Sequence, residues 1–579
     1  MSYQAPVAEM RRLARLLGHD RLAEIERYAE ATSETRDAIL TEAAKMAEEV
    51  LAPLNRSADL EGARLENGVV RTSPGFHEGY RAIAEGGWVG LSADPEHGGM
   101  GLPRSLGVMV NEMMASACLS LSLCPLLSGG QIEALEAHGS AALKALYLPK
   151  LTSGAWTGTM NLTEPQAGSD VGALRSKAEP AGDGSYRVSG QKIWISWGDH
   201  DFAENVVHLV LARLPDAPRG SRGVSLFLVP KRLPDEDGRP GVANSLSVVS
   251  LEHKMGLHGS PTCVMAFEEA KGWLVGEENK GLACMFTMMN NARLNVGIEG
   301  VAIAEMATQA TLAWAMERVQ GRTADGSATI VGHADVRRML MTMKALTRAA
   351  RAICYDCAFS LDMAQAGEDE ATREKHARRG AFLTPIAKAY GTDTGIEVSN
   401  LAVQVHGGAG YAEDTGIAQY FRDVRITAIY EGTNGVQAMD LVGRKLAGDG
   451  GATALALLSE ARGTADRSAG SEPVLAAALV RAVIEAEAVT QHLAMADETT
   501  RGAAATPYLR LLALVLGGAS LLRAATEGGA DAAEAEEARA LAAFHILQLL
   551  PMAHAHAAAA KADKDALYAI DATRLTATV

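Results

Sequence analysis

The apolar spacing switches from helical to period two near residue 152 and back near 280, which excludes an all-helical or an all-β chain. Before the first switch Leu40, Ala43, Ala44, Ala47 and Leu51 recur at helical spacings until Pro53 ends the run. The glycine-rich EHGGMGLPRS at 96–105 reads as a loop ahead of another helical run. Between the switches SYRVSGQKIWISWG places Tyr186, Val188, Lys192, Trp194 and Ser196 in alternating order, with Ser189-Gly190 read as a turn. VVHLVLARL and GVSLFLVPK follow as apolar, β-branched strands. Long helical patterns then occupy 284–319, 333–365, 379–406 and 434–447. The Ala-rich tail keeps periodic apolar positions, predicting helices near 473–497, 506–524 and 532–560, separated by Gly-, Thr- and Pro-containing breaks. The expected fold class is α+β. An N-terminal helical domain (1–151) precedes a middle β domain (152–278), a C-terminal helical bundle (279–450) and an additional helical domain (451–579).

A chain of 579 residues is too long for one core. Its 48% hydrophobic and 21% charged residues are those of a globular protein. A net charge of −16 leaves no electrostatic footprint for nucleic acid or an anionic membrane. The N-terminus lacks the apolar core of a secretory signal. The longest apolar run, LLALVLGGASLL, is about 12 residues, against roughly 20 for a membrane span, and reads as a buried helix. Six scattered cysteines suit a reducing compartment, and the expected location is cytoplasmic. Cys354 and Cys357 form C-x-x-C inside a helical pattern, without the βαβ unit a redox motif needs. His554 and His556 face different ways on a helix, so no metal site is expected.

The run AIYEGTNGVQ sets Glu431 between a segment that reads as entering a core, Ala428 to Tyr430, and a small glycine-punctuated turn before a helix at Val436. A carboxylate at such a seam is either solvated from a loop or held where its charge is costly. HGGAG at 406–410 follows a helix rather than a strand, which argues for a helix C-terminal turn and against a dinucleotide fingerprint.

Four segments, MNLTEPQAGSDVG (160–172), GQKIWISWG (190–198), QVHGGAGY (404–411) and IYEGTNGVQ (429–437), occur in this order on a helical–β–helical chain. Together they resemble the acyl-CoA dehydrogenase family over roughly residues 40–445. The length, the helical tail and the MSYQAP…AEM start look most like the large bacterial subgroup that includes 3-methylmercaptopropionyl-CoA dehydrogenase. The resemblance implies FAD, an acyl-CoA substrate, an electron-transfer flavoprotein as acceptor, and a homodimer or dimer of dimers. Removing two hydrogens across the α–β bond of a thioester needs a base for the α-proton, and a carboxylate suits that task when burial raises its proton affinity. The resemblance puts the base at Glu431 and implies its backbone N–H as a donor to the thioester carbonyl.

By the same resemblance Met160, Leu162 and Thr163 line the flavin edge, and Trp194 and Ser196 shield the ring and bond near its reactive nitrogen. Taken alone, Trp194 would read as a core aromatic. Ser169 and Arg293 match residues that contact the CoA side. Arg318, Gln404, Gly407 and Gly408 match residues reaching the flavin of a neighbouring subunit, and Thr433 matches a further flavin contact. Some relatives carry the base just before the arginine of NNARLNVG. Here that position is Ala292, and Glu299, nearly two turns on, does not match.

Two departures stand out. Many members follow the base with G-T-x-Q, where this chain has Gly435. The familiar R-x-x-F-G appears as Arg318-Val319-Gln320-Gly321, shorter and without the aromatic. The alternatives are an acyl-CoA oxidase, disfavoured by an LTATV end without a peroxisomal address, and a non-catalytic acyl-CoA-binding relative, which the presence of Glu431 disfavours.

Overall fold

The computed structural model describes residues 3–528 and 531–576, so Met1, Ser2 and the last three residues of LTATV lie outside it. The described residues form two compact units, one of residues 3–7 and 26–295 and one of residues 8–25, 296–528 and 531–576.

In the first unit, Leu40, Ala43, Ala44, Ala47 and Leu51 are all buried, as their spacing demands, on the helix Ser33–Met46 and the π-turn that continues it. A long helix, Arg104–His138, leads toward a seven-stranded sheet. The strands run in the order Trp156–Asn161, Asn205–Ala212, Ser225–Pro230, Thr262–Val275, Tyr186–Ser196 and Lys177–Pro180, with Leu246–Leu251 also paired to Thr262–Val275. The first pair is parallel and the others antiparallel. Asn205–Ala212 and Ser225–Pro230 are buried along their whole length, which is why they read as continuous apolar runs. Val188, Ile195, Val210, Phe227, Val229 and Phe267 form the core of the sheet. Each such side chain contributes about 1.5–3 kcal/mol when removed from water.

Ser189-Gly190 is not a turn. The strand Tyr186–Ser196 runs through both residues, and its pairing slips between Phe267 and Ala270. A Cβ at Gly190 would lie 2.2 Å from Ser176 Oγ, so this glycine admits a close neighbour rather than reversing the chain.

The second unit is built on the helices Ala334–Ala366 and Glu370–His406 and the C-terminal part of Gly281–Glu317. The tail supplies Ala452–Ser468, Pro473–Met495, Glu498–Glu527, Ala532–Phe544 and Met552–Ala560. The expected break before 506 is absent, because Pro507 sits inside the helix Glu498–Glu527. Buried Tyr508, Leu509, Leu511 and Leu512 hold that helix together across the missing N–H. Glu498–Glu527 and Arg104–His138 are each long and apolar enough to cross a membrane, yet 67% and 83% of their apolar stretches are buried in protein. Cys354 and Cys357 are buried, with thiols directed at the carbonyls of Ala387 and Gly380.

Candidate active site

Glu431 lies on a turn between a 3-10 segment, Arg425–Ala428, and the helix Asn434–Asp440. Its φ of 56° puts an L-residue in the left-handed region, and Gly432 follows at 84°. Such a conformation costs about 1–3 kcal/mol and persists only where the surroundings over-determine it. Here they do. Thr433 Oγ1 caps the helix by accepting from Val436 N at 3.2 Å, and Gln437 Nε2 donates back to the carbonyls of Glu431 and Gly432. Asn434 donates to Asp393 at 2.7 Å and accepts from the buried Lys388 ammonium at 2.9 Å. Arg510, from the tail helix, donates to the other oxygen of Asp393 at 3.0 Å, so the additional helical segment braces the turn.

The approach to the turn differs from expectation. Ile429 is 47% exposed, while Ala428 and Tyr430 are half-buried and the Tyr430 hydroxyl donates to Glu299. Glu431 itself is half-buried, whereas Glu299 is fully buried. Burial pushes the Glu299 carboxyl up to about 8. The Tyr430 bond and the charge of Lys388 oppose that rise, and the charge of Glu431 adds to it. Sequence matching set Glu299 aside. The signal available was one acid inside the apolar helical run NVGIEGVAIA.

In the first unit, Trp194 has φ 62° and is 56% exposed, so it is no core aromatic. Met160, Thr163 and Ser196 are half-buried, Leu162 is buried and Ser169 is exposed. The strand end and loop that carry them are fixed by a buried ion pair absent from the expectations. Lys192 Nζ donates to Glu164 Oε1 at 2.8 Å and to the Leu162 carbonyl at 3.1 Å. Glu164 accepts the backbone N–H groups of Arg175 and Ser176. Burial draws Lys192 down to about 8 against the pull of Glu164. Burial would raise Glu164, but Lys192 and these hydrogen bonds hold it at about 2. Both residues stand inside the quoted motifs, as charged side chains among apolar neighbours.

Among the described residues, the Thr163 and Ser196 hydroxyls have no protein partner. Two unspent hydroxyls and an exposed indole, on the end of one strand and in the loop after another, fit a planar, hydrogen-bonding ring such as flavin. Arg293 is buried, its guanidinium 5.7 Å from the Phe286 ring centroid. In the second unit, Arg318 lies over Trp314, which stacks on His406 at 4.9 Å, and Gly407 and Gly408 follow at once. Arg318, Gln404, Gly407 and Gly408 are thereby gathered, exposed, at adjoining helix ends. No atom stands within 4 Å of a Cβ built on either glycine, so a phosphate could approach their backbone.

A middle sheet between helical segments, with an unspent aromatic shelf and a braced carboxylate turn, defines the architecture of a cofactor-dependent oxidoreductase. Models described as the N-terminal, middle and C-terminal domains of acyl-CoA dehydrogenase match residues 33–155, 159–270 and 279–446, and one described as acetyl-CoA dehydrogenase C-terminal like matches 457–571. The chain is 45% identical to a 3-methylmercaptopropionyl-CoA dehydrogenase of Ruegeria pomeroyi over 94% of each chain. It is 35% identical to a broad-specificity linear acyl-CoA dehydrogenase, FadE5, of Mycobacterium tuberculosis over 73% of this chain and 72% of that one. Caenorhabditis elegans ACDH-11 in complex with C11-CoA shares the fold, with TM-score 0.73 and 21% identity over 95% and 92% of the two chains. Butyryl-CoA dehydrogenase from Megasphaera elsdenii gives TM-score 0.58 and 27% identity over 70% of this chain and 97% of its own. The chain belongs to the acyl-CoA dehydrogenase family, and is thus a flavoprotein oxidoreductase acting on acyl-CoA.

Proposed function

We propose that the chain catalyses FAD-dependent α,β-dehydrogenation of an acyl-CoA thioester to the 2-enoyl-CoA, with Glu431 as the base. The observation that carries this reading is the Glu431 turn, held in a strained conformation by Thr433, Asn434 and Gln437. Glu431 takes the α-proton, and its backbone N–H meets the thioester carbonyl where negative charge develops. FAD, when bound, supplies the acceptor for the β-hydrogen as hydride. Met160, Leu162, Thr163, Trp194 and Ser196 would hold the ring. Arg318, Gln404, Gly407, Gly408 and Thr433 would hold the remainder, the first four across a homodimer contact. Ser169 and Arg293 orient the CoA portion.

The substrate class is short- to medium-chain, with 3-methylmercaptopropionyl-CoA as the specific candidate, because the Ruegeria relative bears that name. An electron-transfer flavoprotein in the cytoplasm takes the electrons. Residues 1–151, 152–278, 279–450 and 451–579 are the functional segments of this reading.

The test is anaerobic bleaching of the flavin band by a panel of thioesters. Glu431→Gln is expected to keep the flavin and to lose bleaching by a factor of about 10³ or more. An active Glu431→Gln enzyme would place the base elsewhere. Rapid oxygen uptake by the wild type on substrate addition would favour an oxidase.

A further inference from the structure

Glu299 is 1% exposed on the helix Gly281–Glu317. Its Oε2 accepts the Tyr430 hydroxyl, and its buried Oε1 has no hydrogen-bond partner among the described residues. The titratable and charged groups that face it are Tyr430 and Glu431 from the turn and Lys388 from the helix Glu370–His406. The Lys388 ammonium, which also donates to Asn434, opposes the rise only in part, and Glu299 forms no ion pair among the described residues. An ionised carboxylate with a dry, unbonded oxygen is costly, and a proton removes the cost. Two neighbouring carboxyls cannot both ionise cheaply, so the drier one keeps the proton and the wetter one carries the charge.

We propose that Glu299 is a positioning residue for the Glu431 base: it anchors the turn through Tyr430 and holds the proton of the carboxyl pair, leaving Glu431 ionised. The inference rests on the assignment of Glu431 as base. In the resting enzyme Glu299 is neutral, consistent with a carboxyl raised to about 8, and Glu431 is the member of the pair that accepts the α-proton. Above that value Glu299 ionises, and a second negative charge beside Glu431 makes it a stronger base. The rate of flavin reduction then rises with it.

Two readouts test this on the holoenzyme. Infrared difference spectra at pH values bracketing the transition near 8 should show a protonated-carboxyl band that disappears on the alkaline side and is missing in Glu299→Gln. Anaerobic reduction by butyryl-CoA should show an inflection near the same pH in the wild type. Glu299→Leu, which removes the Tyr430 anchor, is expected to lower kcat by about tenfold to a hundredfold with little change in KM. Glu299→Gln recovers most of that loss but not the inflection. Tyr430→Phe removes a bond that favours ionisation, so both transitions move to higher pH. Persistence of the band or of the inflection in Glu299→Gln overturns the proposal, as does wild-type kinetics in Glu299→Leu. If Glu299→Leu does not fold, Glu299→Gln and Tyr430→Phe decide alone. A wild type that no thioester bleaches sinks the Glu431 assignment instead, while the infrared band still reports on Glu299.

Discussion

An acid that folding raises from 4.5 to about 8 binds more protons folded than unfolded. Its contribution to stability is therefore fully present below 4.5 and is lost as pH rises through about 8. Glu299→Gln does not titrate, so its advantage over the wild type should widen across that window by up to a few kcal/mol. Urea unfolding followed by circular dichroism at several pH values measures this, and a gap constant with pH would mean that Glu299 is ionised in the folded protein. At this scale the sequence marked Glu431 as a candidate, because an acid followed by a glycine in a recognisable motif is a local pattern. It concealed Glu299, whose hydrogen-bond partner is a tyrosine 131 positions away. The same holds for Glu164 and Lys192, 28 positions apart, whose pairing needs the sheet to bring them together.

Helices that carry acids to a turn must cross at a fixed distance. A Cβ on Gly300 would lie 2.2 Å from the Gly391 carbonyl oxygen, and one on Gly391 would lie 2.3 Å from that of Gly297. Backbone meets backbone there, and nothing flexible can yield. Gly300→Ala is expected to push the two helices apart, cost about 1–3 kcal/mol, and slow flavin reduction by shifting Glu299 against Tyr430. Gly443→Ala, whose Cβ would meet nothing within 4 Å, is the control and should be neutral or slightly stabilising. Thermal unfolding of the two variants decides, and equal midpoints would mean that the crossing is loose. The helical and strand periods were readable because burial imposes them on every residue of a face. Helical glycines signal close packing but do not say against what. Gly190 and Pro507 misled for the same reason: each weakens an element locally, and packing from distant residues overrides it.

At the scale of the whole molecule, segments remote in sequence meet in the second unit. Glu9 accepts from Arg351 at 2.5 Å across 342 residues and from Arg348 at 2.7 Å, while Glu305 accepts from Arg351 at 2.7 Å. The Arg351 side chain is fully buried. Burial alone would raise the Glu9 carboxyl, but Arg351 and Arg348 outweigh it and hold it at about 2. A depressed acid contributes stability that is present above its unfolded value of 4.5 and is lost as pH falls through about 2. Removing that charge leaves the buried Arg351 guanidinium paired with Glu305 but one anion short, which costs about 3 kcal/mol. Glu9→Gln should therefore unfold earlier than the wild type at neutral pH, and the gap should close as pH drops from 4.5 toward 2. Denaturation midpoints measured across that window test it. If the gap stays the same throughout, Glu9 acts by shape rather than by charge, and the N-terminal helix is anchored by its apolar face, where Met10 and Ala14 are buried.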